Sequence, residues 1–229
     1  MLNTPALSIV IPVLDEAAGI AAALVALAPL RRRGAEIIVV DGGSADATPA
    51  LAAPHADRVL RAPRGRGRQM NAGAAGARGR ALLFLHADTR LPPGADTLIE
   101  QALEDRRWGR FDVAIAGRSR WLVMVAAMMN LRSRLTGIAT GDQAIFVARA
   151  AFDAAGGYPE QPLMEDIELS ARLRRTGAPA CLRARVVTSG RRWESRGVWR
   201  TILLMWRLRF DYWRGVPAAR LAARYDAKT

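Results

Sequence analysis

Stretches with the pattern of buried strands alternate with stretches of helical periodicity along the first 90 residues, in units of about 25 residues. The strands are predicted at 7–13, 36–40, 57–60 and 81–85, and the helices at 17–33 and 67–78. Alternation of this kind builds βαβ units, whose right-handed crossovers place helices on both faces of a largely parallel sheet. The sequence therefore predicts an α/β fold with a Rossmann-like, mostly parallel sheet.

The remaining chain continues the mixture of helices and strands. Helices are predicted at 92–105, 121–135, 166–176 and 198–213, and strands at 113–117 and 144–147. No internal repeat occurs, and no linker rich in proline, glycine or serine divides the chain. We therefore expect one domain over residues 1–190, followed by a basic, tryptophan-rich helical appendage over residues 191–229.

Composition excludes several classes of protein. The single cysteine, Cys181, excludes an intrachain disulfide framework and a cysteine-based zinc or iron–sulfur site. The longest uninterrupted apolar run, 121–129, has nine residues, whereas a membrane-spanning helix needs about 20. Because the N-terminus also lacks the basic segment of a secretory signal, a cytoplasmic location is expected.

Positive charge is concentrated at the C-terminus. The net charge is +13, and residues 191–229 hold ten basic and three acidic residues, so more than half of the net charge lies there. A localised basic segment indicates an anionic partner, which could be a membrane surface, a nucleic acid or a phosphorylated substrate. Nucleic acid is not expected, because the chain contains no recognised nucleic-acid-binding motif.

The helix predicted at 198–213 combines an apolar stripe with an adjacent basic stripe. The apolar stripe holds Trp199, Ile202, Trp206, Phe210 and Trp213, and the basic stripe holds Arg196, Arg200, Arg207 and Arg214. Such a helix can pack on its own domain or lie in a membrane interface. We predict peripheral attachment to the anionic inner face of a bacterial membrane, with packing on the domain as the alternative.

Acidic residues follow three of the predicted strands at their carboxyl ends. They are Glu16, Asp41 and Asp88, and ligands of open parallel sheets bind beyond this edge. Carboxylates brought together there repel each other unless a cation lies among them, and a divalent metal that holds a diphosphate fits such a place. Asp41 and Asp88 could instead form a turn or cap a helix. Asp15 and Asp46 are expected to cap helices.

Two common nucleotide-binding motifs are absent from the sequence. No Gly-x-x-x-x-Gly-Lys-Ser/Thr occurs, and Gly65-Arg-Gly67 has Met70 where a dinucleotide-binding fingerprint requires its third glycine. Residues 64–73 are better interpreted as a flexible basic loop. Its arginines could clamp a phosphate or simply face solvent.

Five short motifs, in this order and spacing, resemble the family 2 glycosyltransferases of the GT-A fold. They are Pro12-x-x-Asp-Glu16, Val-Val-Asp41-Gly-Gly-Ser-x-Asp-x-Thr48, Arg68-x-x-Asn-x-Gly73, His86-Ala-Asp88 and Met-Glu-Asp166. The resemblance spans residues 7–176. The segments 141–146 and 162–170 are most similar to a small subgroup known as arsenosugar-biosynthesis-type glycosyltransferases.

The resemblance implies a role for each matching residue. Pro12, Glu16 and Asp41 would hold the nucleoside, with Asp41 at the base edge, and Arg68 would lie near the base or the diphosphate. The divalent metal, Mg²⁺ or Mn²⁺, would bind Asp88.

The implied general base is Asp166, which would deprotonate the acceptor hydroxyl for an inverting displacement at the anomeric carbon. Its position at a helix start favours the ionised carboxylate.

Two features depart from the usual pattern of the family. His86 replaces the first aspartate of Asp-x-Asp, so it could be a metal ligand or lie just behind the metal site. Processive members carry Gln-x-x-Arg-Trp, but Ser189 stands in the glutamine place before Arg192-Trp193. Transfer of a single sugar is therefore expected.

The acceptor pocket is expected to include Asp142, Glu165 and Trp193. The expected partners are a nucleotide-sugar donor and a lipid-linked or small-molecule acceptor. One alternative is a non-catalytic module that binds sugar nucleotides or a membrane surface. The other is a nucleotidyltransferase, which would carry a glycine-rich basic loop directly after its first strand.

Overall fold

The computed structural model describes residues 5–226 and contains one eight-stranded sheet surrounded by helices. The strands are β1 Leu7–Val13, β2 Glu36–Asp41, β3 Arg58–Arg61, β4 Ala81–Phe84, β5 Thr89–Arg90, β6 Trp108–Ala116, β7 Phe146–Ala148 and β8 Ala180–Ser189. The helices are α1 Ile20–Arg32, α2 Thr48–Ala52, α3 Arg66–Gly76, α4 Ala95–Asp105, α5 Trp121–Thr136, α6 Arg149–Ala154, α7 Glu165–Arg174, α8 Arg191–Arg196, α9 Val198–Trp213 and α10 Ala218–Asp226. A 3-10 turn covers Gly141–Gln143.

The sheet has the strand order β3-β2-β1-β4-β7-β6-β8-β5. The first four strands in this order are mutually parallel, β7 is antiparallel to both of its neighbours, β6 and β8 are parallel, and β5 is antiparallel to β8. The carboxyl ends of β1, β2 and β4 therefore meet at one edge. The predicted α/β fold is confirmed.

Both faces of the parallel strands are buried, as the predominantly apolar sequences of β1 and β2 predict. On one face, Ile9 and Ile37 belong to a core that includes Leu24 of α1. On the other face, Val10 belongs to a core that includes Leu169 of α7. Alternate residues of each strand thus pack against helices on opposite sides of the sheet. This packing fixes the positions of the helix N-termini relative to the ends of the strands.

Strand β6 is longer than predicted, and strand β8 was not predicted. β6 begins five residues earlier than predicted, because its polar residues Arg110 and Asp112 are buried and paired with each other. β8 was not predicted, since Arg183 and Arg185 interrupt its apolar pattern. Both arginines lie on its exposed face.

The segment after residue 190 packs against the rest of the protein. Val198 and Ile202 of α9 join Leu122 and Val125 of α5 in one apolar cluster. Farther along, Leu208 of α9 and Leu221 of α10 pack with Met164, next to the start of α7. Helices α8–α10 are thereby held beside the sheet edge at which the acidic residues meet. Between residues 5 and 226, no helix is both long and apolar enough to cross a membrane.

Candidate active site

A cleft of about 1370 Å³ opens at the carboxyl ends of β1 and β4. Its walls come from the loops after these strands, the start of α7, the inner face of α5, and helices α8–α10. Nine of the ten predicted site residues line it: Pro12, Glu16, Arg68, His86, Asp88, Asp142, Glu165, Asp166 and Trp193. The topology therefore brings together residues that are up to 181 positions apart in the sequence.

Asp41 is the predicted site residue that does not line the cleft. Its carboxylate is buried and accepts hydrogen bonds from the backbone N–H groups of Gly43, at 3.0 Å, and Ser44, and from the Ser44 hydroxyl. Asp41 thus shapes the loop after β2, which is the turn-forming alternative considered from the sequence. Contact with the nucleoside base remains a prediction.

The loops after β1 and β2 are tied to each other by polar contacts. The Glu16 N–H donates to Thr48 Oγ1 at 2.8 Å, and Asp46 accepts from the Thr48 N–H at 2.9 Å, at the start of α2. Asp15, predicted as a helix cap, instead accepts from the Ala45 N–H across the two loops at 2.8 Å. This network fixes the backbone that carries Glu16 into the cleft.

Gln69 contributes to the site although no sequence motif pointed to it. Its side-chain Nε2 donates to the carbonyl oxygens of Val13, at 2.9 Å, and Val40, at 2.8 Å. The side chain is buried and lines the cleft floor. Gln69 therefore joins the ends of β1 and β2, a role that only the sheet register makes visible.

Glu16 and Asp88 form the acidic end of the cleft. Burial raises the pKa of Glu16, and the negative charge of Asp88 raises it further. Arg191 of α8 offsets part of this effect, since its guanidinium lies 4.0 Å from the Glu16 carboxylate. Two neighbouring carboxylates suit a cation, and Asp88 is exposed to the cleft.

His86 is engaged by protein groups on both ring nitrogens. Nδ1 lies 3.4 Å from Asp142 Oδ1, and Nε2 packs against Gly141, where an added Cβ would lie only 2.5 Å from it. Burial would raise the pKa of Asp142, but His86, Arg66 and Arg192 together lower it. This arrangement favours His86 as a residue that positions Asp142.

A metal ion at this cleft would need ligands from a bound molecule. Among residues 5–226, no three histidine, cysteine or carboxylate side chains converge to hold an ion. Mg²⁺ sites commonly combine one or two carboxylates with phosphate oxygens and water. Asp88 therefore fits a site that is completed by a diphosphate.

Two adjacent acidic residues begin α7 and face the cleft. Asp166 Oδ2 accepts from the Gly141 N–H at 2.8 Å, and Oδ1 accepts from the Ile167 N–H at 2.8 Å. Glu165 is buried, and burial together with the charge of Asp166 raises its pKa to about 7, against the opposing effect of Arg66. Asp166 is thus held in place with lone pairs still free to accept a proton.

Arginines Arg132 of α5 and Arg209 of α9 also line the cleft, and sequence reasoning did not single them out. Burial and the neighbouring charge of Arg209 lower the pKa of Arg132 to about 10, and burial lowers the pKa of Arg209 as well. The sequence contains 34 lysine and arginine residues, so their number alone could not mark these two. Only the packing of α9 against α5 brings them together.

Comparison with protein families matches residues 8–147 to glycosyl transferase family 2. No curated protein sequence matches significantly. Solved structures with a similar fold include the mannosyltransferase PcManGT from Pyrobaculum calidifontis in complex with GDP-Man and Mn²⁺, at 21% identity and a TM-score of 0.61, over 81% of this chain and 57% of that one.

Two bacterial structures are also similar. TarS 1-349 from S. aureus in complex with UDP-GlcNAc has 16% identity and a TM-score of 0.65, over 80% of this chain and 58% of that one. Glucosyl-3-phosphoglycerate synthase from Mycobacterium tuberculosis, in complex with Mn²⁺, UDP and glucosyl-3-phosphoglycerate, has 19% identity and a TM-score of 0.58, over 80% and 71%. This chain thus spans less than two thirds of PcManGT and TarS 1-349.

These likenesses in structure show a GT-A-like fold. The family match covers more than half of the chain and includes the loops that carry Glu16, Asp41, Asp88 and Asp142. The chain belongs to glycosyl transferase family 2.

Proposed function

We propose that this glycosyltransferase moves a single sugar from a nucleotide-sugar donor to an acceptor hydroxyl, with inversion at the anomeric carbon and with a divalent metal. The observation that carries the proposal is the shared cleft, in which Asp88 after β4 and Asp166 at the start of α7 face the same space. One carboxylate suits a metal on a leaving diphosphate, and the other suits proton removal from the acceptor.

The donor is assigned to the end of the cleft formed by the loops after β1 and β4. Pro12, Glu16 and Arg68 would contact the nucleoside and diphosphate there, and Asp41 would orient the loop beside them. Asp88 would hold Mg²⁺ or Mn²⁺, which supplies Lewis-acid stabilisation of the leaving diphosphate when bound. Complexes of PcManGT with GDP-Man and Mn²⁺ support this assignment.

Asp166 is proposed as the general base. It lies at the N-terminus of α7, and the Gly141 N–H fixes its orientation. Its neighbour Glu165 is the rival, since a pKa of about 7 suits proton transfer at neutral pH. Glu165 is the more deeply buried of the two, so Asp166 is better placed to reach an acceptor.

An anionic membrane surface is proposed as a partner through the outer face of α9. Trp199, Leu203, Phe210 and Trp213 are all more than half exposed there, so they do not serve as core residues. Arg200, Arg207 and Arg214 are exposed beside them. Aromatic residues next to arginines suit the boundary between lipid headgroups and acyl chains. The acceptor would then be lipid-linked or a small molecule, and membership of the arsenosugar-biosynthesis-type subgroup stays a proposal.

The experiment that tests the proposed function is a thermal-shift screen of nucleotide sugars in the presence of Mn²⁺. A ligand that binds only the folded protein raises its stability by RT ln(1 + [L]/Kd). We expect at least one donor to raise the Tm of the wild type with Mn²⁺, and Asp88→Ala to lose the part of this shift that depends on the metal. A wild type that no nucleotide sugar stabilises would overturn the proposal.

A further inference from the structure

Two arginines line the cleft, and each has one buried nitrogen without a hydrogen-bond partner. They are Arg132 of α5 and Arg209 of α9, named here the arginine pair. Within the part of the chain that the structure describes, the buried Arg132 Nη2 and Arg209 Nε atoms find no acceptor. The Arg132 Nη1 atom donates to the Ile138 carbonyl oxygen at 3.2 Å, so this side chain is fixed rather than free to swing to solvent.

The arginine pair lowers the stability of the folded protein. Buried donors without acceptors lose the hydrogen bonds that water would give them, and two neighbouring guanidinium groups repel each other. Lowered pKa values for both side chains reflect this burial and, for Arg132, the charges of Arg209 and Arg110. Asp166 is the opposing charge for both arginines, and Asp142 acts on Arg209 as well. An anion bound to the cleft-facing side of the pair would offset the repulsion between the two positive charges.

The arginine pair belongs to the Asp166 end of the cleft. The carboxylates that act on the pair are Asp166 and Asp142, whereas Glu16 at the other end is affected by Asp88. The negative charges that act on the pair are thus those of Asp166 and Asp142, the carboxylates assigned to the acceptor. The pair flanks the carboxylate that is assigned to the acceptor hydroxyl.

We propose that the arginine pair binds a phosphate group of the acceptor and so places the acceptor hydroxyl beside Asp166. This inference rests on the proposed function of the cleft. A phosphate monoester carries nearly two negative charges at neutral pH and offers three acceptor oxygens, which matches two guanidinium groups from two different helices. The substrate class is thus a phosphorylated acceptor, either a soluble phosphate ester or a lipid phosphate.

The test is calorimetric titration of inorganic phosphate into the full-length protein that is saturated with nucleoside diphosphate and Mg²⁺. The nucleotide occupies the Asp88 end of the cleft, so the titration measures the binding of phosphate at the Asp166 end. We expect Arg132→Met and Arg209→Met each to weaken phosphate binding by roughly 10-fold or more, the loss expected for a hydrogen bond to a charged group. Arg175→Met removes the same charge from an exposed position at the end of α7 and should bind phosphate like the wild type.

Stability serves as a second measurement on the same variants. Because the arginine pair is strained without an anion, the methionine variants should unfold at a Tm equal to or above that of the wild type without phosphate. Arg132→Lys and Arg209→Lys keep a positive charge but not the planar fork, so they should bind phosphate with intermediate affinity. Phosphate binding that is equal in the wild type and the methionine variants would overturn the inference, as would a wild type that binds no phosphate.

The nucleotide titration separates this inference from the proposed function. If the wild type binds no nucleoside diphosphate with either Mg²⁺ or Mn²⁺, the proposed function fails. If it binds a nucleotide and the methionine variants bind phosphate normally, only the phosphate site fails. Vesicles of phosphatidic acid and of phosphatidylserine at equal surface charge identify the source. A preference for phosphatidic acid that Arg209→Met abolishes indicates a lipid phosphate, and equal binding to both indicates a soluble ester.

Discussion

Gly141 connects the two halves of the candidate active site through its backbone. Its N–H orients Asp166, and its Cα side packs against the His86 ring. The sequence placed Asp142 near the acceptor, but it could not show the connection through Gly141, because the contact depends on how the 3-10 turn meets the loop after β4. Residue types were thus predictable here, while their partners were not.

Gly141→Ala should destabilise the protein by about 1–3 kcal/mol, the usual cost of forcing an extra carbon into a packed site. The new Cβ would lie 2.5 Å from His86 Nε2, so the ring must move. Urea unfolding measures the change. Gly19→Ala is the matched control, because a Cβ there meets nothing within 4 Å. Equal stability of the two variants would contradict the packing described for His86.

Glu165 should make stability depend on pH. Its pKa in the fold, about 7, lies above the value of 4.5 of an unperturbed glutamate, so the folded protein holds this proton more tightly. The resulting stabilisation is complete below pH 4.5 and is lost as the pH rises to about 7, by an amount on the order of 2–3 kcal/mol.

Glu165→Gln should remove that dependence, and above pH 7 the variant should be more stable than the wild type. The measurement is the free energy of unfolding over a range of about three pH units around neutrality. The exposed Glu100→Gln serves as the control. Parallel pH profiles for the wild type and Glu165→Gln would show that Glu165 titrates normally.

At the scale of elements, the strands that could be predicted are those with few charged residues in their sequences. β1, β2 and β4 are predominantly apolar, and their predicted bounds agree with the structure within one residue. β8 and the first half of β6 escaped prediction because charged residues occur inside them. The buried Arg110 in β6 is paired with Asp112 and donates to Ser133 Oγ at 3.0 Å, which no local pattern reveals.

The two faces of helix α9 have different proposed functions. Its inner face carries Ile202 and Arg209 toward the cleft, and its outer face exposes Phe210 and Trp213. The sequence pattern grouped Ile202 with the outward tryptophans, because a single helical stripe cannot distinguish a buried contact from a membrane contact.

Phe210→Ala combined with Trp213→Ala should weaken binding to anionic vesicles and leave the Tm nearly unchanged, since both side chains are more than half exposed. Co-sedimentation with anionic and neutral vesicles at low and high salt is the measurement. Val25→Ala, an exposed apolar position on α1, is the control. If the wild type does not bind anionic vesicles at low salt, the membrane proposal fails.

At the scale of the whole molecule, the cleft brings carboxylates from the sheet edge together with arginines from the helices. Glu16 and Asp88 lie at the end assigned to the metal and donor, and Arg132 and Arg209 line the same cleft as Asp166. The position of Glu16 and Asp88 was predictable, because parallel strands bring their carboxyl ends to one edge. The position of the two arginines was not, since it depends on how α9 folds back onto α5.

The most direct test of the account is the rate of metal-dependent nucleoside diphosphate release in the wild type and in Asp166→Asn, with the donor that stabilises the protein most. The account predicts that Asp166→Asn keeps donor affinity and loses roughly 100-fold or more in transfer to the acceptor, the scale expected for removal of a general base. Unchanged turnover in Asp166→Asn would contradict the account and transfer the role of base to Glu165.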